Sequence, residues 1–464
     1  MTGRSWSTVG GIVLSAGVFA ATRQAGLSDA QSWTAAVTTL CAVWWIAEAI
    51  PLPATALVPL AVFPLAGVLK EASVAAAYCD PLVLLFMGGF MMAKAAERWG
   101  AHHRLAQAMI GLVGGTSGRR IVLAFMLATA FGSMWISNTA AALMMLPVAI
   151  AVMEQDTSGR LATPLMLGIA YSASIGGIAT PIGSPPNGVF QAVYKTANGA
   201  TIPFHQWMVV GGSVAILVLF AAWLVLTWRL SGVPAIEVGE REKWTPAQKR
   251  TMVVLGLAAA AWFTREIPYG GWSQFTNLGK EGDTTVAIVA VLMLFLIPSG
   301  DAEGHRILDW HTAAQIPWGV LILFGGGIAI AKAFQSSGLS ELIGQLVAGL
   351  SHWPTLAIVA TVCVAVTFLS EFTSNTATSN ILMPVLAAAA KASGMNPAML
   401  MFPATISNSL SFMMPVGTPP NAIAFGTGRI RMRDMVRYGL VLNLMGAAIT
   451  TLVCWKLVPI VLGK

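Results

Sequence analysis

The chain alternates long apolar runs with short polar punctuation, and the spacing of the punctuation predicts its elements. Nine runs, at 7–22, 33–50, 54–69, 80–97, 207–230, 251–264, 284–298, 314–333 and 436–460, read as single membrane-crossing helices. About 20 apolar residues suffice to cross a bilayer core of roughly 30 Å. Two further runs, 163–179 with 187–194 and 398–414 with 421–427, are interrupted by Gly183-Ser184-Pro185-Pro186-Asn187 and Gly417-Thr418-Pro419-Pro420-Asn421. Eleven crossings are therefore expected, two of them broken at mid-membrane. Between them lie 121–154 and 357–390, apolar but cut midway by Ser137-Asn138-Thr139 and Ser374-Asn375-Thr376. Each half is too short to cross comfortably, so both stretches read as re-entrant hairpins. Irregular backbone at membrane depth is tolerated only where protein or a watery cavity satisfies it.

These interruptions are a repeat. The two Ser-Asn-Thr peptides are 237 residues apart and the two Gly-[Ser/Thr]-Pro-Pro-Asn peptides 234 apart. Phe86-Met87-Gly88-Gly89 leading to Lys94 matches Phe324-Gly325-Gly326-Gly327 leading to Lys332, and Pro147 and Pro384 each follow their motif serine by ten residues. The expected organisation is an extra N-terminal helix (1–30) and a first repeat (31–230), with its hairpin at 121–154 and broken helix at 163–194. A cytoplasmic linker (231–250) and a second repeat (251–464) follow, the latter with its hairpin at 357–390 and broken helix at 398–427. Five crossings plus a hairpin per half is an odd number, so the halves are inverted. Inverted repeats with interrupted helices characterise secondary transporters, whose site lies near the midplane.

Composition agrees. Of 464 residues 56% are hydrophobic and only 10% charged, against roughly 25% charged in a typical soluble domain. The chain reads as an all-α polytopic membrane protein. The net charge of +7 invites a nucleic-acid reading, but its placement argues for topology. With the N-terminus in the cytoplasm, Arg98, Arg104, Arg119, Arg120, Arg160, Arg241, Lys243, Lys249, Arg250, Arg429, Arg431, Arg433 and Arg437 all fall inside. That is the positive-inside bias, and the C-terminus then lies outside. The first run, Val9 to Ala21, lacks a small-residue cleavage site and reads as a retained helix. Cys41, Cys79, Cys363 and Cys454 are scattered without a C-x-x-C pair and read as packing residues. His102-His103 lacks metal-ligand spacing and reads as part of an amphipathic surface segment.

The motifs carry the chemistry. A helix starting at Ser-Asn-Thr offers free amides and the positive end of its dipole to a carboxylate. The Thr hydroxyl and Asn amide add neutral, directional hydrogen bonds. At Gly183 and Gly417 the backbone is free to bend, and the two prolines suit the first turn of the next half-helix. Unwound carbonyls with hydroxyl and amide oxygens make a hard shell suited to Na⁺. Neither tip holds Arg, Lys or His, so a dianion there needs a co-bound cation. Ser133 and Ser370, one turn before each motif serine, can join the shell. Any one of these small residues alone is as well explained by close helix packing; duplication in the same order and spacing favours a site. Glu371 has no counterpart, since Met134 stands at the equivalent place. Two roles are open to it: biasing a cation or proton site, or capping backbone amides. Glu48, before Pro51-Leu52-Pro53, reads as interfacial.

Paired Ser-Asn-Thr motifs, each followed by a Gly-[Ser/Thr]-Pro-Pro-Asn loop, resemble the divalent anion:sodium symporter family of di- and tricarboxylate and sulfate carriers. The resemblance runs over both halves. It implies a homodimer of elevator type, in which a mobile transport domain of hairpins, broken helices and the spans after them slides against a scaffold. It implies a first sodium site at Ser133, Ser137, Asn138 and the Gly183 carbonyl, and a second at Ser370, Ser374, Asn375 and the Gly417 carbonyl. Substrate carboxylates are then expected at Asn138, Thr139, Asn375 and Thr376, with Ser184, Thr418 and Pro419 lining the pocket. The expected activity is sodium-coupled import of C4-dicarboxylates (succinate, malate, fumarate) across a bacterial inner membrane. Sodium-independent dicarboxylate exchange and citrate or sulfate symport are the alternatives. A channel filter would more naturally use rings of identical subunits. No Ser-His-Asp order, H-E-x-x-H or paired aspartates in the spans point to an enzyme.

Overall fold

The computed structural model describes residues 3–101, 104, 117–230, 243–265, 271–275, 282–342 and 353–463. Their elements are almost all helical. In order they are α1 (Gly3–Gln24), α2 (Asp29–Ile46), α3 (Leu52–Thr55), α4 (Val58–Leu65), α5 (Glu71–Tyr78) and α6 (Pro81–Arg98). Next come α7 (Gly118–Ser133), α8 (Asn138–Glu154), α9 (Ala162–Gly177), α10 (Pro185–Asn198) and α11 (Phe204–Thr227). The second half holds α12 (Pro246–Thr264), α13 (Asp283–Leu296), α14 (Trp310–Ala313) and α15 (Trp318–Ser337). It ends with α16 (Thr355–Ser370), α17 (Asn375–Ala392), α18 (Ala398–Ser409), α19 (Pro419–Gly426) and α20 (Met432–Val461).

The crossings differ in length from the expectation of eleven uniform spans. Among the described residues four helical stretches are long and apolar enough to cross alone: Glu71–Arg98, Phe204–Thr227, Trp318–Ser337 and Met432–Val461. The others are shorter or more polar. The expected 54–69 span is two pieces, α3 and α4, because Pro53 and Pro59 each sit in a first turn and restart the helix. The linker at 231–250 lies mostly outside the described residues, as do His102 and His103. Its last part is already helical, since Thr245 and Gln248 form a reciprocal capping box with Pro246 in the first turn.

Both interruptions fall where the motifs lie. α7 and α8 are joined by the tip at Ser137, α16 and α17 by the tip at Ser374. In each broken helix the paired prolines occupy the first turn of the second piece, α10 or α19. The second break is wider than expected. α18 stops at Ser409 and not near 414, leaving 410–418 unwound, against 178–184 in the first half.

The broken helices form the molecular core. Pro164 through Gly177 of α9 and all of α18 are buried, as a helix apolar on every side should be. α9 packs on α7, α8 and α11, and α18 packs on α16, α17 and α20. The halves also interlock: α10 packs on α17, and α19 packs on α8. Each half thus lays the second piece of its broken helix against the hairpin of the other, which brings the four duplicated peptides together. A second group, α6 with α13 and α15 with α2, α4 and α5, packs around this unit.

Candidate transport site

Both hairpin tips and both unwound loops line one cavity of about 1090 Å³. Ser137, Asn138 and Thr139 enter it from the first tip, and Ser374, Asn375 and Thr376 from the second. Gly183 and Ser184 face Gly417, Thr418 and Pro419 across it. Eleven of the thirteen residues expected from sequence are therefore on one surface. Ser133 and Ser370 are fully buried behind the tips.

The first oxygen cluster lies behind the Ser137 tip. Ser137 is the N-cap of α8, its Oγ accepting from Ala140 N at 3.2 Å. The Asn138 carboxamide faces Ser133 Oγ at 2.6 Å, Ala173 O at 3.2 Å and Gly183 O at 3.3 Å. Turned one way, its nitrogen donates to all three. Turned the other way, its Oδ1 joins them, and the four oxygens form a neutral shell of the kind that suits Na⁺. The backbone is pressed close here. A Cβ at Gly183 would stand 2.7 Å from Gly177 O and 3.0 Å from Ser133 O, and one at Gly177 would meet the Asn138 amide at 2.5 Å. At Gly183 the backbone leaves room for glycine alone, and a side chain at Gly177 would push the Asn138 carboxamide out of the cluster.

The second half repeats the plan with different chemistry. Ser370 Oγ bonds Ser411 Oγ at 2.7 Å and Thr367 O at 2.8 Å. Asn375 Oδ1 is buried without a hydrogen-bond partner, an acceptor facing a site where a cation would satisfy it. Ser374 is the N-cap of α17 but makes no side-chain cap bond, unlike Ser137. In the loops the roles reverse: Ser184 makes no cap bond, whereas Thr418 Oγ1 accepts from Asn421 N at 3.4 Å. The two halves are related but not equal.

Two asparagines staple the loops, a role the repeat contained but sequence spacing did not disclose. Asn187 Nδ2 donates to Gly177 O and Thr180 O, each at 2.8 Å. Asn421 Nδ2 donates to Ser411 O at 2.9 Å and Met414 O at 3.1 Å. The partners sit ten and seven residues before the asparagine in both halves. Carbonyls that the broken helix leaves without amides are thereby satisfied. Of the other loop carbonyls, Ile178 O accepts from Trp207 Nε1 at 3.0 Å.

Glu371 resolves in favour of capping. Its side chain is 1% exposed. Oε1 accepts from Phe412 N at 2.7 Å, Met413 N at 2.9 Å and Asn443 Nδ2 at 2.6 Å, and Oε2 accepts from Met414 N at 2.9 Å. Four donors hold one carboxylate, which meets the condition for burying such a group. The wider second break has exposed three amides in a row, and Glu371 gathers them. At the equivalent place in the first half, Thr180 Oγ1 donates to Met134 O at 2.6 Å. Positions 134 and 180 match 371 and 414, so the same junction is closed by a hydroxyl on one side and a carboxylate on the other. Asn443, on α20, had no signal in the sequence.

An aromatic ring, Phe86, borders the cavity. Phe86 and Phe324, from the two Gly-rich repeat segments, meet edge to face with centroids 4.9 Å apart. Gly188 is packed against both rings. Elsewhere the wall carries Glu48, Lys94, Glu97, Gln315 and Pro317. Glu48 lines this region with a left-handed backbone, φ 46°, and is exposed as expected for an interfacial residue.

An all-helical bundle with two broken helices and two hairpins meeting at one polar cavity has the architecture of a multi-pass membrane transporter. Residues 3–461 match the family described as "Sodium:sulfate symporter transmembrane region". The chain belongs to this family, that of the divalent anion:sodium symporters. It is 39% identical over 460 residues to the sodium-dependent dicarboxylate transporter SdcS of Staphylococcus saprophyticus, covering 94% of this chain and 88% of that one. It is 38% identical over 451 residues to SdcS of Staphylococcus aureus (strain MRSA252), covering 92% and 86%. Among solved structures its fold is similar to that of the Alcanivorax borkumensis YdaH transporter, with a TM-score of 0.58 at 15% identity over 87% of this chain and 88% of that one. Neisseria gonorrhoeae MtrF is similar at a TM-score of 0.57 and 10% identity, covering 84% of each.

Proposed function

We propose that the protein is a sodium-coupled importer of C4-dicarboxylates such as succinate, malate and fumarate. The observation that carries this is the convergence of both Ser-Asn-Thr tips and both Gly-[Ser/Thr]-Pro-Pro-Asn loops on one cavity. Two symmetric half-helix starts suit a molecule with a carboxylate at each end. Asn138, Thr139, Asn375 and Thr376 bind those carboxylates, and Ser184, Thr418 and Pro419 shape the space between them. Na⁺, carried as a co-substrate, is held by Ser133, Ser137, Asn138 and the Gly183 carbonyl in one half. Ser370, Ser374, Asn375 and the Gly417 carbonyl hold it in the other. The activity for which these relatives are named, sodium-dependent dicarboxylate transport, supports the same reading.

The positive-inside distribution supports an N-terminus in the cytoplasm of a bacterial inner membrane and a C-terminus outside. In that orientation the Arg98 end of α6 is cytoplasmic, and the cavity faces inward. Hairpins, broken helices, α11 and α20 pack with one another, while α6 packs chiefly on α13 and α15 on α2, α4 and α5; α15 also packs against α10 of the first group. That division supports an elevator, in which the first group moves against the second, and the family resemblance supports a homodimer. The alternatives are a sodium-independent dicarboxylate exchanger and a citrate or sulfate symporter of the same fold. In proteoliposomes an inward sodium gradient is expected to drive concentrative uptake of radiolabelled succinate into vesicles without internal dicarboxylate. Uptake that ignores sodium and requires internal dicarboxylate would overturn the symport reading. Failure of succinate to compete with citrate or sulfate flux would overturn the substrate.

A further inference from the structure

We propose a second, transient carboxylate station on the cytoplasmic side of the cavity, formed by Lys94 and regulated by Glu97. The proposal rests on the dicarboxylate reading above and adds a step to it. Phe86, Gly89, Phe90, Ala93, Lys94 and Glu97 all line the cavity from α6, at steps of three and four residues that define a single helix face. The face starts at Phe86, whose ring meets that of Phe324. Gly89 lies at the depth of the first unwound loop, where a Cβ would stand 3.9 Å from Ile182 Cδ1. Lys94 is five residues further on, about 7.5 Å along the helix axis. Its ammonium thus belongs to the passage between the binding tips and the cavity mouth.

Charge gives this position its meaning. Among the described residues that line the cavity, the charged ones are Glu48, Lys94 and Glu97. Two carboxylates repel a departing dianion, and Lys94 is the one cation that offsets them. Lys94 Nζ is paired with Glu97 Oε2 at 2.7 Å, with side-chain exposures of 26% and 50%. A solvated pair at this spacing is weak enough to exchange partners. A substrate carboxylate leaving Asn138 and Thr139 replaces Glu97 on the ammonium and is then released as Glu97 returns. Because α6 belongs to the frame and the tips to the moving group, Lys94 meets the substrate only in the inward-facing arrangement. Its repeat counterpart, Lys332, does not line this cavity, so the contact with Lys94 belongs to the cytoplasmic face alone in this arrangement.

The test compares the two faces with oriented proteoliposomes, right-side-out and inside-out, using radiolabelled succinate under a sodium gradient. For Lys94→Gln the half-saturation at the cytoplasmic face is expected to rise about five-fold, and that at the outer face by less than two-fold. Lys94→Arg should keep the cytoplasmic value within two-fold of the wild type. Glu97→Gln, which frees the ammonium, should lower it about two-fold. The cytoplasmic half-saturation of the wild type should also rise with ionic strength, and that of Lys94→Gln should rise less. Equal shifts at both faces, or none at either, would overturn the station while leaving sodium-driven uptake intact. Absence of sodium-driven succinate flux in the wild type overturns the functional reading itself and the station with it.

Discussion

At the scale of single residues, the site depends on oxygens held at short range by residues that have no room to change. A methyl group at Gly183 would meet two backbone carbonyls, neither of which can step aside as a flexible side chain could. Gly183→Ala is therefore expected to displace the first oxygen cluster and raise the sodium concentration for half-maximal uptake several-fold. Gly17→Ala, with nothing within 4 Å, serves as the neutral control in the same assay. In the proposed site the Thr139 and Thr376 hydroxyls act on the substrate. A hydrogen bond to a charged group contributes about 1.5 kcal/mol or more, which is roughly tenfold in affinity. Thr139→Ala and Thr376→Ala should each raise the succinate half-saturation by about that factor. Normal transport by both variants would remove them from the substrate site.

At the scale of elements, the two halves close the same junction with unequal devices. Thr180→Val removes one neutral hydrogen bond to Met134 O and should cost about 1 kcal/mol. Glu371→Ala leaves the Met413 and Met414 amides and the Asn443 Nδ2 group facing no acceptor, and Phe412 N with only Asn443 Oδ1 at 3.2 Å, at about 3 kcal/mol or more. Thermal unfolding in detergent should rank Glu371→Ala well below Thr180→Val, with Glu371→Gln between them. Equal melting temperatures would mean that the 410–418 loop is held by something else. The hairpins and broken helices were legible from sequence because proline, glycine and small polar residues break helices locally. Unequal loop width was not legible. Both loops begin with apolar residues, and α18 stops early because Glu371, 41 residues away from Phe412, supplies an acceptor to the unwound amides.

At the scale of the whole molecule, two polar contacts join α10 to helices of the second packing group, α6 and α15. Lys195 on α10 lies 3.7 Å from Asp80, the N-cap of α6. Gln335 on α15 donates to Thr196 O at 2.6 Å. Under the elevator proposed above, both contacts join elements that must separate, and they are expected to favour the inward-facing arrangement. In the double variant Asp80→Asn/Gln335→Ala the balance should shift outward. With the exposed Cys79 replaced by Ser, a cysteine introduced by Val416→Cys on the cavity wall should then react faster with a membrane-impermeant thiol reagent added outside. Unchanged outside labelling would show that these contacts do not set the balance.

What the sequence determined by itself was the membrane setting, the duplication, the positions of the helix breaks and the oxygen-rich chemistry at each. All of these are written locally, in apolar run length, in charge placement and in helix-breaking peptides at matched spacing. The tertiary structure decided which oxygens meet and which are already satisfied. Asn187 and Asn421 belong to a visible motif, but their role as loop staples follows from carbonyls folded back towards them. Asn443 reaches Glu371 across 72 residues of chain, and Lys94 shares a wall with tips from both halves. Such pairings are set by how separate helices pack in space, and no periodicity along one helix records them.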